Sequence, residues 1–332
     1  MAMDNKVTII GTTGTGKTTY LTGMYAYMSG LGCKNFTLVT DPNNDLNLSR
    51  MWDALESGQF PKASFDAEDY VFHITHNYAP VCDFTWLDYP GGLLMDPSHE
   101  KYEMMTKSIA TSDCLLFVLD AAKLFAFEAS NGNDYREKLE KKLMMNSGVR
   151  SELKELTKLS QQGIKIPALC ITITKADLID PEYKNIIESV LSDKFEALFK
   201  GSARVIISAV SLGADIEENG ADPHCIEEPI AYAVLNILIK YMELLKEKRI
   251  AKFGVVTKKR GRFTRWLDSE EIASAQQELK NMEKIAGQWY QDAWSLLDLI
   301  CKDNPDKSIY VEGKKKSFRE YFRQVFAEIN EN

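Results

Sequence analysis

An α/β fold with a mostly parallel sheet is predicted by three observations. Short apolar runs alternate with amphipathic helical stretches, which implies parallel crossovers. The first run, Lys6 to Ile10, empties into the glycine-rich turn Gly11-Thr12-Thr13-Gly14-Thr15-Gly16. Two further runs near the front face each other across Asn77 to Pro80, which predicts a hairpin and an antiparallel edge.

Taken in order, Lys6 to Ile10 reads as a buried strand, and the chain from Lys17 to about Met28 as a helix that Gly30 and Gly32 stop. Phe36 to Thr40 is a second strand candidate, and Asp41-Pro42-Asn43-Asn44 a turn. Leu46, Leu48, Met51, Trp52 and Leu55 recur at helical spacing until Gly58. The hairpin strands are Tyr70 to Thr75 and Phe84 to Leu87, the latter ending in Asp88. Apolar runs at Cys114 to Leu119, Ala168 to Ile173 and Val205 to Ile207 complete the strand set. Helices are predicted near 98–110, 133–162, 182–200 and 226–248. The 133–162 stretch is longer and more charged than a crossover needs, so a projecting helical insertion is expected there.

Residues 1–249 carry 25 Lys+Arg against 35 Asp+Glu, a net of -10, whereas residues 250–332 carry 15 against 13, a net of +2. This shift, with the change of pattern, predicts a boundary near 250 and a helical C-terminal appendage over 250–332. The tail holds a long helical pattern to Cys301 with an aromatic stripe (Trp289, Tyr290, Trp294), read as core packing. Lys314-Lys315-Lys316 reads as a solvated helix start before a last helix at Ser317 to Ile329.

The total charge of -8 argues against nucleic acid as a partner of the whole surface. Six cysteines without C-x-x-C spacing read as buried free thiols in a reducing compartment. No run of about 18 apolar residues occurs, so an integral membrane protein is not expected and a cytoplasmic location is.

Three motifs carry the chemistry. Gly11 to Thr18 is a full match to G-x-x-x-x-G-K-[ST]. Its glycines let consecutive backbone N–H groups cup phosphate oxygens, and the following helix aims its positive end at the same place. Lys17 would reach the β- and γ-phosphates and the Thr18 hydroxyl would hold Mg²⁺, with Thr19 following in the first helical turn. Asp88-Tyr89-Pro90-Gly91 fits D-x-x-G: Asp88 would meet Mg²⁺ through water, and Gly91 would offer its N–H to the γ-phosphate. Thr174-Lys175-Ala176-Asp177 fits [NT]-K-x-D. Guanine presents two donors side by side that one carboxylate, Asp177, can accept; adenine leaves such an acid unpaired. Lys175 would lay its stem over the base, and Thr174 would tie this loop to the phosphate loop. A backbone N–H in Ser208-Ala209-Val210 could meet the guanine O6. Asp120, at the end of the Cys114 run, is a rival metal ligand and belongs with an ATPase alternative.

These residues resemble the Ras-like, translation-factor-related class of P-loop GTPases over roughly residues 5–248. The resemblance implies a six-stranded, mostly parallel sheet with one antiparallel edge strand and helices on both faces, binding of GTP and GDP with Mg²⁺, and signalling to a protein partner through switch segments, here about 40–65 and 88–100, or through the C-terminal helices. The cadence Trp52-x-x-Leu55-x-x-Gly58-x-Phe60-Pro61 is similar to bacterial double-GTPase-type domains. The family also implies a switch hydroxyl on Mg²⁺, for which Ser64 is the nearest match. Two departures imply slow hydrolysis. Gly92 stands where the class often has a water-orienting Gln, and Thr13 stands where efficient members have Gly. Arg50 or the Arg260–Arg265 stretch could supply an activating cation. A nucleotide-bound module that does not hydrolyse is the further alternative.

Overall fold

The computed structural model describes residues 4–30, 33, 35–61, 68–164, 168–214, 216–257 and 268–330. It opens with β1 (Lys6–Ile10), the phosphate-type turn and α1 (Lys17–Ser29), then β2 (Phe36–Thr40) and α2 (Pro42–Glu56). The expected turn at Asp41 is instead the start of α2. Asp41 caps it by accepting from the N–H groups of Asn43 and Asn44, with Pro42 in the first turn where its missing donor costs nothing.

β3 (Glu68–His76) and β4 (Ala79–Asp88) form the hairpin. Asn77 and Tyr78 both have positive φ, 50° and 67°, the backbone that a two-residue turn needs to match the strand twist. A 3-10 turn at Leu93–Met95 and α3 (Tyr102–Thr111) lead to β5 (Cys114–Asp120) and the single turn α4 (Ala121–Leu124). Next come α5 (Gly132–Met145), α6 (Ser147–Gln161), β6 (Ala168–Thr174), α7 (Lys184–Lys194), α8 (Glu196–Gly201) and β7 (Arg204–Ala209). The remainder is α9 (Ile216–Asn219), α10 (Glu228–Thr257), α11 (Asp268–Ile300), β8 (Ser308–Val311), β9 (Lys314–Ser317) and α12 (Phe318–Asn330).

Among the described residues nine strands form one sheet, ordered β2-β3-β4-β1-β5-β6-β7-β8-β9. The central β4, β1, β5, β6 and β7 are parallel, and β3 runs antiparallel to β4. The expected six strands are thus present as β3 to β7 with β1, but three more flank them: β2 outside β3, and the β8–β9 hairpin outside β7. The tail therefore contributes strand as well as helix. Lys314 to Lys316, expected to open a helix, lie in the exposed edge strand β9, where charge discourages pairing with another chain. The boundary expected near 250 falls inside α10.

Strand alternation divides the core in two. Cys114, Leu116 and Val118 of β5 face one layer with α1, α10, α11 and α12, while Leu115, Phe117 and Leu119 face the other with α3, α5, α6, α7 and α8. Leu296, Leu297 and Ile300 of α11 are buried in the first layer, with Trp289, Tyr290 and Trp294 packed against it. The 133–162 stretch does not project. Tyr135, Leu139, Leu143, Val149, Leu156 and Leu159 are buried in the second layer, which lays α5 and α6 against the body of the protein. Among the described residues, no helix is long and apolar enough to cross a membrane.

Candidate nucleotide site

The ends of β1, β4, β5, β6 and β7 meet along one rim, where ligands of open parallel sheets bind. Two adjoining cavities run along it, both lined by Gly16, Thr19, Phe60 and Lys175. One, of about 250 Å³, is walled by Thr13 to Thr18, Asp88, Tyr89 and Gly91. The other, of about 430 Å³, is lined by Asp177, Leu178, Val210, Ser211 and Leu212 among others.

The first cavity holds buried charge in its wall. Lys17 is 8% exposed, and its ammonium donates to the Gly11 carbonyl at 2.8 Å, which folds the turn around it. Burial lowers its pKa, against the pull of Asp88 and Glu152. Asp88 ends β4, and its Oδ1 is buried without a hydrogen-bond partner. Burial raises its carboxyl to about 6 even though Lys17 holds it down. Thr18 is half-buried in the same wall. An orphaned carboxylate oxygen and a hydroxyl, on residues that line the same phosphate-sized cavity, are an all-oxygen donor pair that fits Mg²⁺. Ser64 lies outside the described residues, as does the Arg260–Arg265 stretch. Arg50 is exposed on α2 and lines neither cavity.

Gly91 touches the phosphate loop itself. A β-carbon there would fall 2.4 Å from the Thr13 nitrogen and 2.5 Å from its Cα, both rigid backbone. Thr13 Oγ1 donates to the Gly91 carbonyl at 2.9 Å, so the side chain that distinguishes this loop clasps the sensor segment. Gly92 has φ 89°, a backbone that any side chain strains to adopt. The position after Asp88-Tyr89-Pro90-Gly91 is thus shaped for glycine here.

The second cavity is built by loops. Thr174 Oγ1 donates to the Thr15 carbonyl at 2.8 Å, joining the two ends of the slot. Lys175 adopts φ 56°, a conformation rare outside glycine that marks a tight loop. The Ala176 N–H donates to the Val210 carbonyl at 3.1 Å, and the Val210 N–H to the Ile173 carbonyl at 2.8 Å, locking the loop after β6 to the loop after β7. Asp177 is exposed at the cavity. Of Ser208, Ala209 and Val210, only Val210 lines it. The Ser208 side chain is fully buried in β7, Ala209 lines a different cavity, and the Val210 N–H is taken by the Ile173 carbonyl. Ser211 and Leu212 take their place.

Asp120 is occupied. It caps α4 by accepting from the Ala122 N–H at 2.9 Å, and it takes the Lys175 ammonium at 3.0 Å. It lines neither cavity, so Asp88 is the better-placed metal ligand.

Three participants escaped the sequence reading as site residues. Phe60 is 62% exposed and stands where the two cavities join. Lys123 of α4 donates to the Thr13 and Gly14 carbonyls at 3.3 and 3.2 Å. Glu152 of α6 is 1% exposed beside the loop. Its signal was available: Val149, Glu152, Leu156 and Leu159 share one helix face, and a charge on an apolar stripe asks for a reason.

No protein-family profile matches the chain, and no curated protein matches it. Solved structures do. A signal recognition particle receptor SRb-GTP/SRX complex from Chaetomium thermophilum aligns at 16% identity over 65% of this chain and 94% of that one, with TM-score 0.36. The S. cerevisiae Ski7 GTPase-like domain bound to GTP aligns at 16% identity over 63% of this chain and 43% of that one, with TM-score 0.34. The Arl6 BBS3 small GTPase from Trypanosoma brucei with bound GppNp aligns at 12% identity over 70% of this chain and 95% of that one, with TM-score 0.31. The case for a nucleotide site rests on the residues of the slot.

Proposed function

We propose that this chain is a Mg²⁺-dependent GTP-binding protein that hydrolyses GTP slowly and acts as a nucleotide-controlled switch. One observation carries the reading: a single slot joins a buried Lys17/Asp88 end, fit for polyphosphate and metal, to a Lys175/Asp177 end, fit for guanine. The Thr174–Thr15 hydrogen bond ties the two together.

In this reading the phosphates lie on the backbone N–H groups of Thr13 to Thr18, and Lys17 stabilises charge that develops on them as water attacks the γ-phosphorus and GDP leaves. Thr18 and Asp88 would hold Mg²⁺, which neutralises the same charge when bound. Ser64 completes this set in the proposal. Gly91 would report the γ-phosphate, and the segments 40–65 and 88–100 would carry the state to a protein partner. Gly92 leaves the attacking water without a side chain from that position, so hydrolysis is slow and open to a partner's help.

Single-turnover hydrolysis of GTP with Mg²⁺ tests this reading. Phosphate release over minutes to hours, lost in Lys17→Ala, is the expected result. Binding without release over a day favours a second reading, a nucleotide-bound module that does not turn over, for which the Thr13–Gly91 clasp is the specific support.

A further inference from the structure

A carboxylate is an unexpected neighbour for an anion-binding loop, yet this chain buries one there. Glu152 faces the Thr12 backbone N–H and feels the Lys17 ammonium, while its Oε2 is buried without a hydrogen-bond partner. Its position is enforced. Asn146 caps α6 by accepting from the Val149 N–H at 3.0 Å. Gly148 approaches the loop so closely that a β-carbon there would stand 2.6 Å from Thr12 Cγ2. Farther along α6, Glu155 accepts from the Tyr102 hydroxyl at 3.0 Å, which ties the same helix to α3 beyond the sensor segment.

The charges around Glu152 dictate what happens when a ligand arrives. Lys17 of α1 stands between two acids, Glu152 and Asp88 of β4, and also feels Lys123 of α4. Burial pushes the Glu152 carboxyl up to about 8, although Lys17 and the Thr12 N–H both favour its ionised form. A polyphosphate in the loop engages Lys17 and brings several negative charges into the same poorly solvated space. An ionised Glu152 then opposes the ligand, whereas a protonated one does not.

We propose that Glu152 is a positioning residue whose carboxyl takes up a proton from solvent as nucleotide enters the phosphate loop, making polyphosphate binding and Glu152 protonation one coupled event. The proposal rests on the nucleotide-site reading above. It assigns α6 a part in ligand binding that none of the three motifs carries. Deprotonation of Lys17 at high pH weakens binding with the same sign, so the test must separate the two groups, and Glu152→Gln does so. The amide keeps an acceptor for the Thr12 N–H but cannot ionise.

The experiment is calorimetric titration of the full chain with GDP and Mg²⁺. Binding heats are compared at pH 8 in two buffers of different ionisation enthalpy, and Kd is followed from pH 7 to 9. The wild type is expected to take up about half a proton at pH 8 and to lose about tenfold in affinity across the range, the linkage expected for one group titrating near the middle of it. Glu152→Gln should take up no proton and lose less than about a third of that affinity on the same scale. Absence of proton uptake by the wild type overturns the proposal, and that measurement needs no variant. An unchanged pH profile in Glu152→Gln overturns it too. Absence of any GDP binding by the wild type overturns the nucleotide-site reading and the proposal together, and it is distinguished by the missing heat at every pH.

Discussion

The two ends of the slot are built on opposite plans. At the phosphate end Lys17, Asp88 and Glu152 are all nearly buried, and desolvation moves every one of their pKa values toward the neutral form. At the base end Lys175 and Asp177 are exposed, and the cavity is walled by loops that hydrogen-bond to one another through backbone. The difference is instructive. The phosphate end concentrates buried charge that a bound polyphosphate would engage, so substitutions there should change affinity for any nucleotide. The base end sets Asp177 beside Lys175 on a cavity that Tyr20, Leu178, Val210, Leu212 and Ile216 also line, with Glu218 as its other carboxylate, so substitution of Asp177 should change which nucleotide is chosen.

Lys17→Ala breaks the first half of this contrast most severely. Losing a buried cation from the phosphate cradle should cost roughly 3–5 kcal/mol, a hundredfold or more in Kd, for GDP and ADP alike; a loss confined to one nucleotide contradicts the division. Asp88→Asn comes next. It should remove about tenfold in GDP affinity when Mg²⁺ is present and little in its absence, so that the variant behaves in Mg²⁺ as the wild type does in a chelator. Equal losses under both conditions would show that Asp88 holds something other than metal.

The smallest effect concerns stability without ligand. Glu152 has its folded-state pKa raised from 4.5 to about 8. The folded chain therefore keeps a proton that the unfolded chain gives up between those values. Stability is greatest below the lower value and falls as pH rises through the window. Glu152→Gln should flatten this fall and raise the melting temperature at pH 8.5 by about 3 °C. A lower melting temperature in the variant would mean that the ionised carboxylate is stabilised in place.

Most of the central sheet was legible in the sequence because β1, β5 and β6 are buried on both faces, and such strands are written as unbroken apolar runs. The glycine-rich turn between β1 and α1 was legible because its motif has fixed residues at fixed spacing. The β8–β9 hairpin was not. β8 has four residues, and Lys314 to Lys316 carry the charge of an exposed edge, which looks like a solvated face. Glu312 and Gly313, both at positive φ, were the only local sign of the turn. The motif placed a backbone N–H of Ser208 to Val210 at the base; the Ser208 side chain is buried, with its residue paired to Thr172 in the sheet, which the motif alone does not say. Glu152 was legible only in part: its place on the apolar face of α6 marks it as buried, but the loop it faces lies well over a hundred residues away, and the packing that joins them is not written locally.

The proposed function requires that guanine nucleotide occupy this slot with its base at Asp177. Competition between GDP and ADP for a fluorescent nucleotide, with Mg²⁺, in the wild type and in Asp177→Ala, tests it most directly. GDP should be preferred by about a hundredfold or more in the wild type, with near-equal affinities in the variant through loss of GDP binding alone. Equal binding of the two nucleotides by the wild type, or a preference for GDP that survives in Asp177→Ala, would contradict it.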